Sequence, residues 1–288
     1  MRKDIYLPAL ALAGGGIGFL LRRWQLNAAL DLDTNLFLSI HPSTLALLAF
    51  TAGMTLLFLL LSRGGRPKKQ GAEWLFCPNA GYMSIMTAAA LLLLASALLG
   101  ALDCADSFVL WRFNRSAPLP VMDVLCVILS LPAAWAVLML GRSNYRCTVP
   151  AGNRELSTLP AYAALPWLVS TYQDHSREPQ LMRFVFQILA IVLLLLALYL
   201  TAALFQGKAR PNLLVFCSLT GIYLGLLSLA DISSRGDLLR QCGFILIVFG
   251  NLCAMLSNLF APARLARAVA RQISPTEETS APDAAGDE

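Results

Sequence analysis

Apolar residues along this chain come in unbroken runs of about 17–25 residues, with no strict alternation, and that is the length a helix needs to cross a hydrocarbon core about 30 Å thick. The runs lie at residues 5–21, 43–62, 82–102, 119–140, 157–172, 181–205, 212–230 and 238–260. Lipid offers no partner to backbone N–H and C=O groups, so each run is expected to be helical. The pattern predicts an all-α polytopic transmembrane bundle of about eight spans. The fifth run, LSTLPAYAALPWLVSTY, is the shortest and carries Pro160 and Pro166. Read as a re-entrant segment, it would leave seven spans.

Charge decides between these counts. With eight spans, alternate connections hold 14 basic and three acidic residues, about +11, if the acidic tail is set aside; the other connections hold 8 basic and 9 acidic residues, about −1. With seven spans the sides become +6 and +4 and the asymmetry vanishes. Cytoplasmic loops collect Lys and Arg, so eight spans with both termini cytoplasmic is the expected topology. The N-terminus resembles a signal peptide in its basic Arg2 and Lys3. Its apolar stretch resumes after Gly16, however, and stops only at Arg22-Arg23-Trp24, as a retained span does.

Composition fits a membrane protein. Hydrophobic residues make up 57% and charged residues 14% of the chain, where a soluble domain carries about 25% charged. Mean hydropathy is +0.64. The formal charge of +5 is explained by orientation and by attraction to anionic lipid. No basic patch interleaves with aromatics, so a nucleic-acid partner is not expected, and the lipid bilayer is. The seven cysteines form no CxxC, and neither His41 nor His175 stands at zinc-ligand spacing. No P-loop, HExxH, GxSxG or dinucleotide fingerprint occurs. No catalytic set, metal or cofactor is expected, which disfavours a membrane enzyme acting on lipid.

Domain organisation follows from the same pattern. A transmembrane bundle fills 1–261, with two parallel halves of four spans as one reading, 1–140 and 157–261. Residues 262–273 place Arg264, Arg267 and Arg271 on one side and Leu265, Val269 and Ile273 on another, an amphipathic helix at the cytoplasmic surface. The tail 274–288, rich in Ser, Thr, Pro, Ala and acid, is expected to be disordered.

Candidate functional residues are polar or helix-breaking groups where the membrane makes them costly. Asp123 opens span four, and Arg183 opens span six with Gln187 one turn deeper. A structural Asp123–Arg183 pair and a solute site are the two readings. Asn251 falls mid-span, where its amide needs a partner on a neighbouring helix. Gly14 and Gly16 in span one, and Pro160 and Pro166 in span five, break the first span of each half. Paired broken spans point to a transporter site, and close packing is the other reading of the glycines. Arg22, Arg23, Asp31, Asp33, Asp103, Asp106, Arg112, Arg115, Asp231, Asp237 and Arg240 form a near-neutral outer rim, expected to hold exposed salt bridges worth little each, with a vestibule for a polar or zwitterionic solute as the other reading.

Residues 18–36, GFLLRRWQLNAALDLDTNL, join a span ending in LRRW to a loop with acidic residues and Thr. This stretch resembles uncharacterised polytopic membrane proteins of Clostridia-type Gram-positive bacteria. The resemblance implies a bacterial plasma membrane and no assigned activity. Two function classes follow. One is a transporter or permease-like binder of a small polar solute, lined by Gly14, Gly16, Asp123, Pro160, Pro166, Arg183, Gln187 and Asn251. The other is a non-transport membrane subunit that anchors a protein partner at the cytoplasmic face, such as an ATPase or a cell-envelope enzyme, through the basic loop at 63–69 and the 262–273 helix.

Overall fold

The computed structural model describes residues 3–29, 41–63, 71–113, 121–148, 152–175, 181–208 and 210–260. The 262–273 helix, the 274–288 tail, most of the basic loop at 63–69, and Asp31, Asp33, Asn114 and Arg115 fall outside them. The helices are α1 (Lys3–Ala28), α2 (Pro42–Ser62), α3 (Ala80–Phe113), α4 (Val121–Tyr145), α5 (Asn153–Leu156), α6 (Leu159–His175), α7 (Leu181–Phe205), α8 (Pro211–Ser228) and α9 (Arg235–Phe260). A 3-10 turn at Gly71–Leu75 precedes α3. No strand occurs among the described residues. Seven helices, α1 to α4 and α7 to α9, are long and apolar enough to cross a membrane. The chain is an integral, multi-pass membrane protein built as an all-α bundle.

Local chemistry sets where helices start and stop. α2 begins with Pro42, whose missing N–H costs nothing there, and His41 caps it by accepting from the Ser43 N–H at 3.3 Å. α8 also starts on a proline, Pro211. α7 ends where Lys208 N donates to Ala203 O at 2.9 Å and Gly207 N to Leu204 O at 3.0 Å. This closure needs a left-handed residue, and Gly207 supplies it at φ 79°. α4 closes the same way on Cys147, at φ 55°, a costlier choice that lacks glycine's freedom.

Contacts fix the direction of every pass. The near end of the bundle is the end where α1 begins. Leu7 of α1 shares a small cavity there with Ser62 at the end of α2, Asn212 at the start of α8 and Phe260 at the end of α9. Tyr82 at the start of α3 meets Asn144 at the end of α4. At the far end, Arg22 of α1 meets Asp231 just beyond α8, and Gln25 meets Thr44 at the start of α2. α6 starts beside Asn144, Thr201 and Asn251 at the near end, and its Ser170 reaches Asp123 at the far end. His175 then packs on Phe184 at the start of α7, ring centroids 3.5 Å apart. α6 therefore runs the depth of the bundle and does not turn back. Eight antiparallel passes result, with α1 starting and α9 ending at the same end.

α8 and α9 are the most enclosed elements, and α2 is largely exposed. The α1–α2 hairpin packs on α8, while the α3–α4 hairpin packs on α9 and α6. The first four helices thus divide between two flanks and do not group as one half. α3, α4, α6, α7 and α9 form a closed ring in which each packs on the next and α9 returns to α3. Across that ring α6 and α9 meet through the Trp167 and Phe244 rings. Side chains fill the interior.

The expected break in the first span of each half is absent. α1 is continuous through Gly14–Gly18, and α6 through Pro166. The glycines act by size. A Cβ on Gly15 would lie 2.6 Å from Leu226 Cδ1 and 2.8 Å from its Cβ, so glycine lets α1 approach α8 closely.

Candidate functional site

Three of the ring helices carry buried stripes. α4 contributes Cys126, Ser130, Ala133, Val137 and Leu140; α7 contributes Gln187, Ile191, Leu194, Leu198 and Thr201; α9 contributes Arg240, Phe244, Ile247, Val248 and Asn251. The spacing is three or four residues, the period that keeps a helix face turned one way. On α7 and α9 polar side chains stand at both ends, Gln187 and Thr201, Arg240 and Asn251, with apolar ones between them, while α4 carries Ser130 within its stripe.

At the far end Arg240, 5% exposed, donates from Nη1 to Asp237 Oδ1 at 2.8 Å. Its Nε is buried without a hydrogen-bond partner. Gly100 of α3 makes room for this head group, since a Cβ there would meet Arg240 Nη2 at 3.4 Å. Asp123 is half-buried and accepts a hydrogen bond from the Ser170 hydroxyl of α6. His175 Nδ1 lies 2.7 Å from Thr171 O. Asp237 of α9 is thus the carboxylate that pairs with this guanidinium, and Asp123 of α4 is held by α6 at the same end.

One turn inward from Arg240, Phe244 stacks on Trp167 of α6, with ring centroids 5.2 Å apart and planes 11° from parallel. Both rings are buried, and Trp167 Nε1 has no partner. This stack closes the middle of the ring.

At the near end a cavity of about 20 Å³ lies among Asn144, Ser157, Pro160, Thr201, Phe205 and Asn251. Asn144 Nδ2 donates to the Tyr82 hydroxyl at 3.0 Å, and that hydroxyl donates onward to Asn251 Oδ1 over a long 3.5 Å. Asn144 Oδ1 is left buried without a partner. Neighbouring contacts hold the layer rigid. Asn153 Nδ2 donates to Ser143 Oγ at 2.7 Å, and Asn258 Nδ2 to Trp74 O at 2.8 Å and Phe76 O at 2.9 Å. In the connection before α3, burial and then the neighbouring Cys147 push the Cys77 thiol up to about 11. It stays protonated at neutral pH and is no nucleophile.

The structure brings Asn251 and Pro160 together in the near cavity and puts Asp123 in the far layer. Gln187 lies buried on the α7 stripe, and Pro166 is buried next to Trp167. Arg183 falls in the first turn of α7, and its side chain lies outside the described part. Gly14 and Gly16 do not join the others. Gly14 faces Met54 and Tyr223 on the α1–α2–α8 flank, and nothing lies within 4 Å of a Cβ on Gly16, which is exposed. Sequence reasoning missed Tyr82, Asn144, Trp167 and Phe244, and it had Arg240 only as a member of the outer rim. Tyr82 and Asn144 were legible only as polar residues at span ends.

The outer rim also needs correction. Arg22 is 1% exposed and pairs with Asp231 at 2.9 Å, so this salt bridge is buried and not superficial. Arg22 Nη1 further donates to Gln25 Oε1 at 2.6 Å, and the guanidinium lies over the Phe186 ring, 5.2 Å from its centroid.

Among the described residues no group of three His, Cys, Asp or Glu side chains converges as a metal-ligand set. Cys77, Cys104, Cys126, Cys217, Cys242 and Cys253 are free thiols. No protein-family model, curated protein or solved structure matches the chain.

Proposed function

We propose that this integral membrane protein carries a small polar solute across the bilayer through the interior of the α3–α4–α6–α7–α9 ring. The observation that carries this reading is the layering of that interior: a charged layer at Asp123 and Arg240, an aromatic closure at Trp167 and Phe244, and an amide and hydroxyl layer at Asn144, Thr201 and Asn251. Packing alone would fill such an interior with aliphatic side chains. A polar group buried in a membrane costs free energy unless it is bonded, and such groups mark solute or ion paths. Here three polar atoms, Arg240 Nε, Trp167 Nε1 and Asn144 Oδ1, are buried and unbonded along one route. The mixed charge of the far layer suits a solute that bears both an anionic and a cationic group. The loop charges favour the near end toward the cytoplasm, and the resemblance of residues 18–36 points to a bacterial plasma membrane.

The closure supplies the test. Trp167→Ala in purified protein reconstituted into vesicles should raise the permeability to small zwitterionic solutes, read by osmotic swelling, about tenfold over wild type, equal to about 1.4 kcal/mol off a barrier. Removing a buried Trp side chain costs about 3–5 kcal/mol of stability, so Phe244→Leu, a smaller change, serves as the second variant. Vesicles carrying either variant that stay as tight as wild type toward all such solutes would remove this reading.

A further inference from the structure

The far end of the bundle carries an open groove outside the five-helix ring. Its volume is about 610 Å³, within the range of ligand sites. One wall is the last turns of α1, where Phe19, Arg23, Leu26 and Asn27 stand at i, i+4, i+7 and i+8 and so share a helix face. The facing wall is Leu229, Ala230 and Ile232 of the α8–α9 connection, with Leu238 in the first turn of α9. That connection is held in place. Asp231, between Ala230 and Ile232, is paired with Arg22 at 2.9 Å. Ala230 N and Asp231 N donate back to Leu227 O and Ser228 O.

The chemistry changes along the groove. Phe19 lies toward the bilayer centre, Arg23 stands about one turn further out, and Asn27 about one turn beyond that. Trp24, next to Arg23, is 47% exposed, placed as the aromatic residues that mark headgroup depth are. The two adjacent arginines of α1 have different surroundings. Arg22 turns inward to Asp231, while Arg23, about 100° further round the helix, is exposed and makes no ion pair among the described residues. Arg23 is the charged residue of the lining, and the aspartate nearest to it on the facing wall is spent on Arg22.

We infer that this groove binds an anionic phospholipid, its phosphate on Arg23 and Asn27 and an acyl chain along Phe19, Leu229 and Leu238. A guanidinium takes a phosphate through paired N–H donors, and an amide N–H adds another. Basic pockets between transmembrane helices hold such head groups. The apolar walls below Arg23 receive the chain, which a free anion lacks. The groove lies on the α1–α8 flank, apart from the ring interior, and does not rest on the transport reading.

The test uses full-length protein in dodecyl maltoside, melted against rising phosphatidylglycerol, phosphatidylcholine or inorganic phosphate. Phosphatidylglycerol should raise the melting temperature saturably, as a ligand of the folded state does. Phosphatidylcholine, which brings a cation to the same guanidinium, and inorganic phosphate, which has no chain, should not. Arg23→Gln should move the phosphatidylglycerol midpoint up about tenfold, the scale of one lost charge-assisted contact. Arg112→Gln removes an exposed arginine from the last turn of α3 at the same end and should leave the midpoint in place. Ala230→Phe fills the groove with every charge kept and should also raise the midpoint; if it does not fold, the two arginine variants decide. Equal stabilisation by both lipids, or equal shifts in the two arginine variants, would mean diffuse attraction and overturn the site. An unchanged midpoint in Arg23→Gln would do the same, and stabilisation by inorganic phosphate alone would replace the lipid with a free anion.

Discussion

The buried Arg22–Asp231 pair shows how position in the fold changes what a residue does. Both side chains are almost fully enclosed, at 1% and 0% exposure. The network runs on from Arg22 to Gln25 and from Gln25 Nε2 to Thr44 Oγ1 at 3.1 Å, tying α1, α2 and the end of α8 together. Removing one member of a buried ion pair costs about 3–5 kcal/mol, because the other charge keeps its desolvation penalty, whereas replacing both by apolar groups is close to neutral. Arg22→Met should therefore lower stability in detergent more than the double variant Arg22→Met, Asp231→Leu. Thermal unfolding of the two proteins checks the order, and a double variant worse than the single one would show that the pair itself stabilises the bundle. Nothing in the sequence placed Asp231 opposite Arg22. The two lie 209 residues apart, and each taken alone reads as a charge at a span end.

At the scale of elements, hydropathy located the helices well and their ends poorly. α7 coincides with its apolar run, yet α3 continues to Phe113, past Asp103 and Asp106, for 34 residues. Charge ends a membrane-embedded stretch, not a helix, so a run of apolar residues marks depth in lipid and not backbone conformation. The shortness of α6 has a related cause. Its 17 residues rise about 26 Å at 1.5 Å per residue, less than the hydrocarbon thickness. The α5 turn lies directly ahead of it, and the bonds Ser157 N to Asn153 O at 3.0 Å and Tyr162 N to Thr158 O at 3.0 Å carry the coil almost unbroken from Asn153 to His175. Pro160 sits in the first turn of α6, where a missing N–H is tolerated. In a variant without native cysteines, Arg154→Cys and Gln173→Cys should react with an impermeant maleimide from opposite sides of the membrane. Labelling of both from one side would mean that this segment re-enters.

For the whole molecule, the five-helix ring was the least legible feature. Which helices close a ring depends on contacts between distant segments, such as Trp167 with Phe244 and Tyr82 with Asn251, and apolar runs of similar composition do not encode their neighbours. Direction rests on loop charge alone, which needs no knowledge of packing. α1 begins and α9 ends at one end of the bundle, so a single measurement orients all eight passes. With the 274–288 tail set aside, that end carries about +11 against −1 at the other, and the charge rule puts the near end in the cytoplasm. A fluorescent protein fused after residue 288 should be bright, and alkaline phosphatase at the same place inactive. Phosphatase placed between residues 29 and 41 should be active. Activity at residue 288 and none between 29 and 41 would invert the molecule. The consequence reaches the interior: with the near end inside, the Asn144–Thr201 cavity faces the cytoplasm and the Arg240 layer faces out.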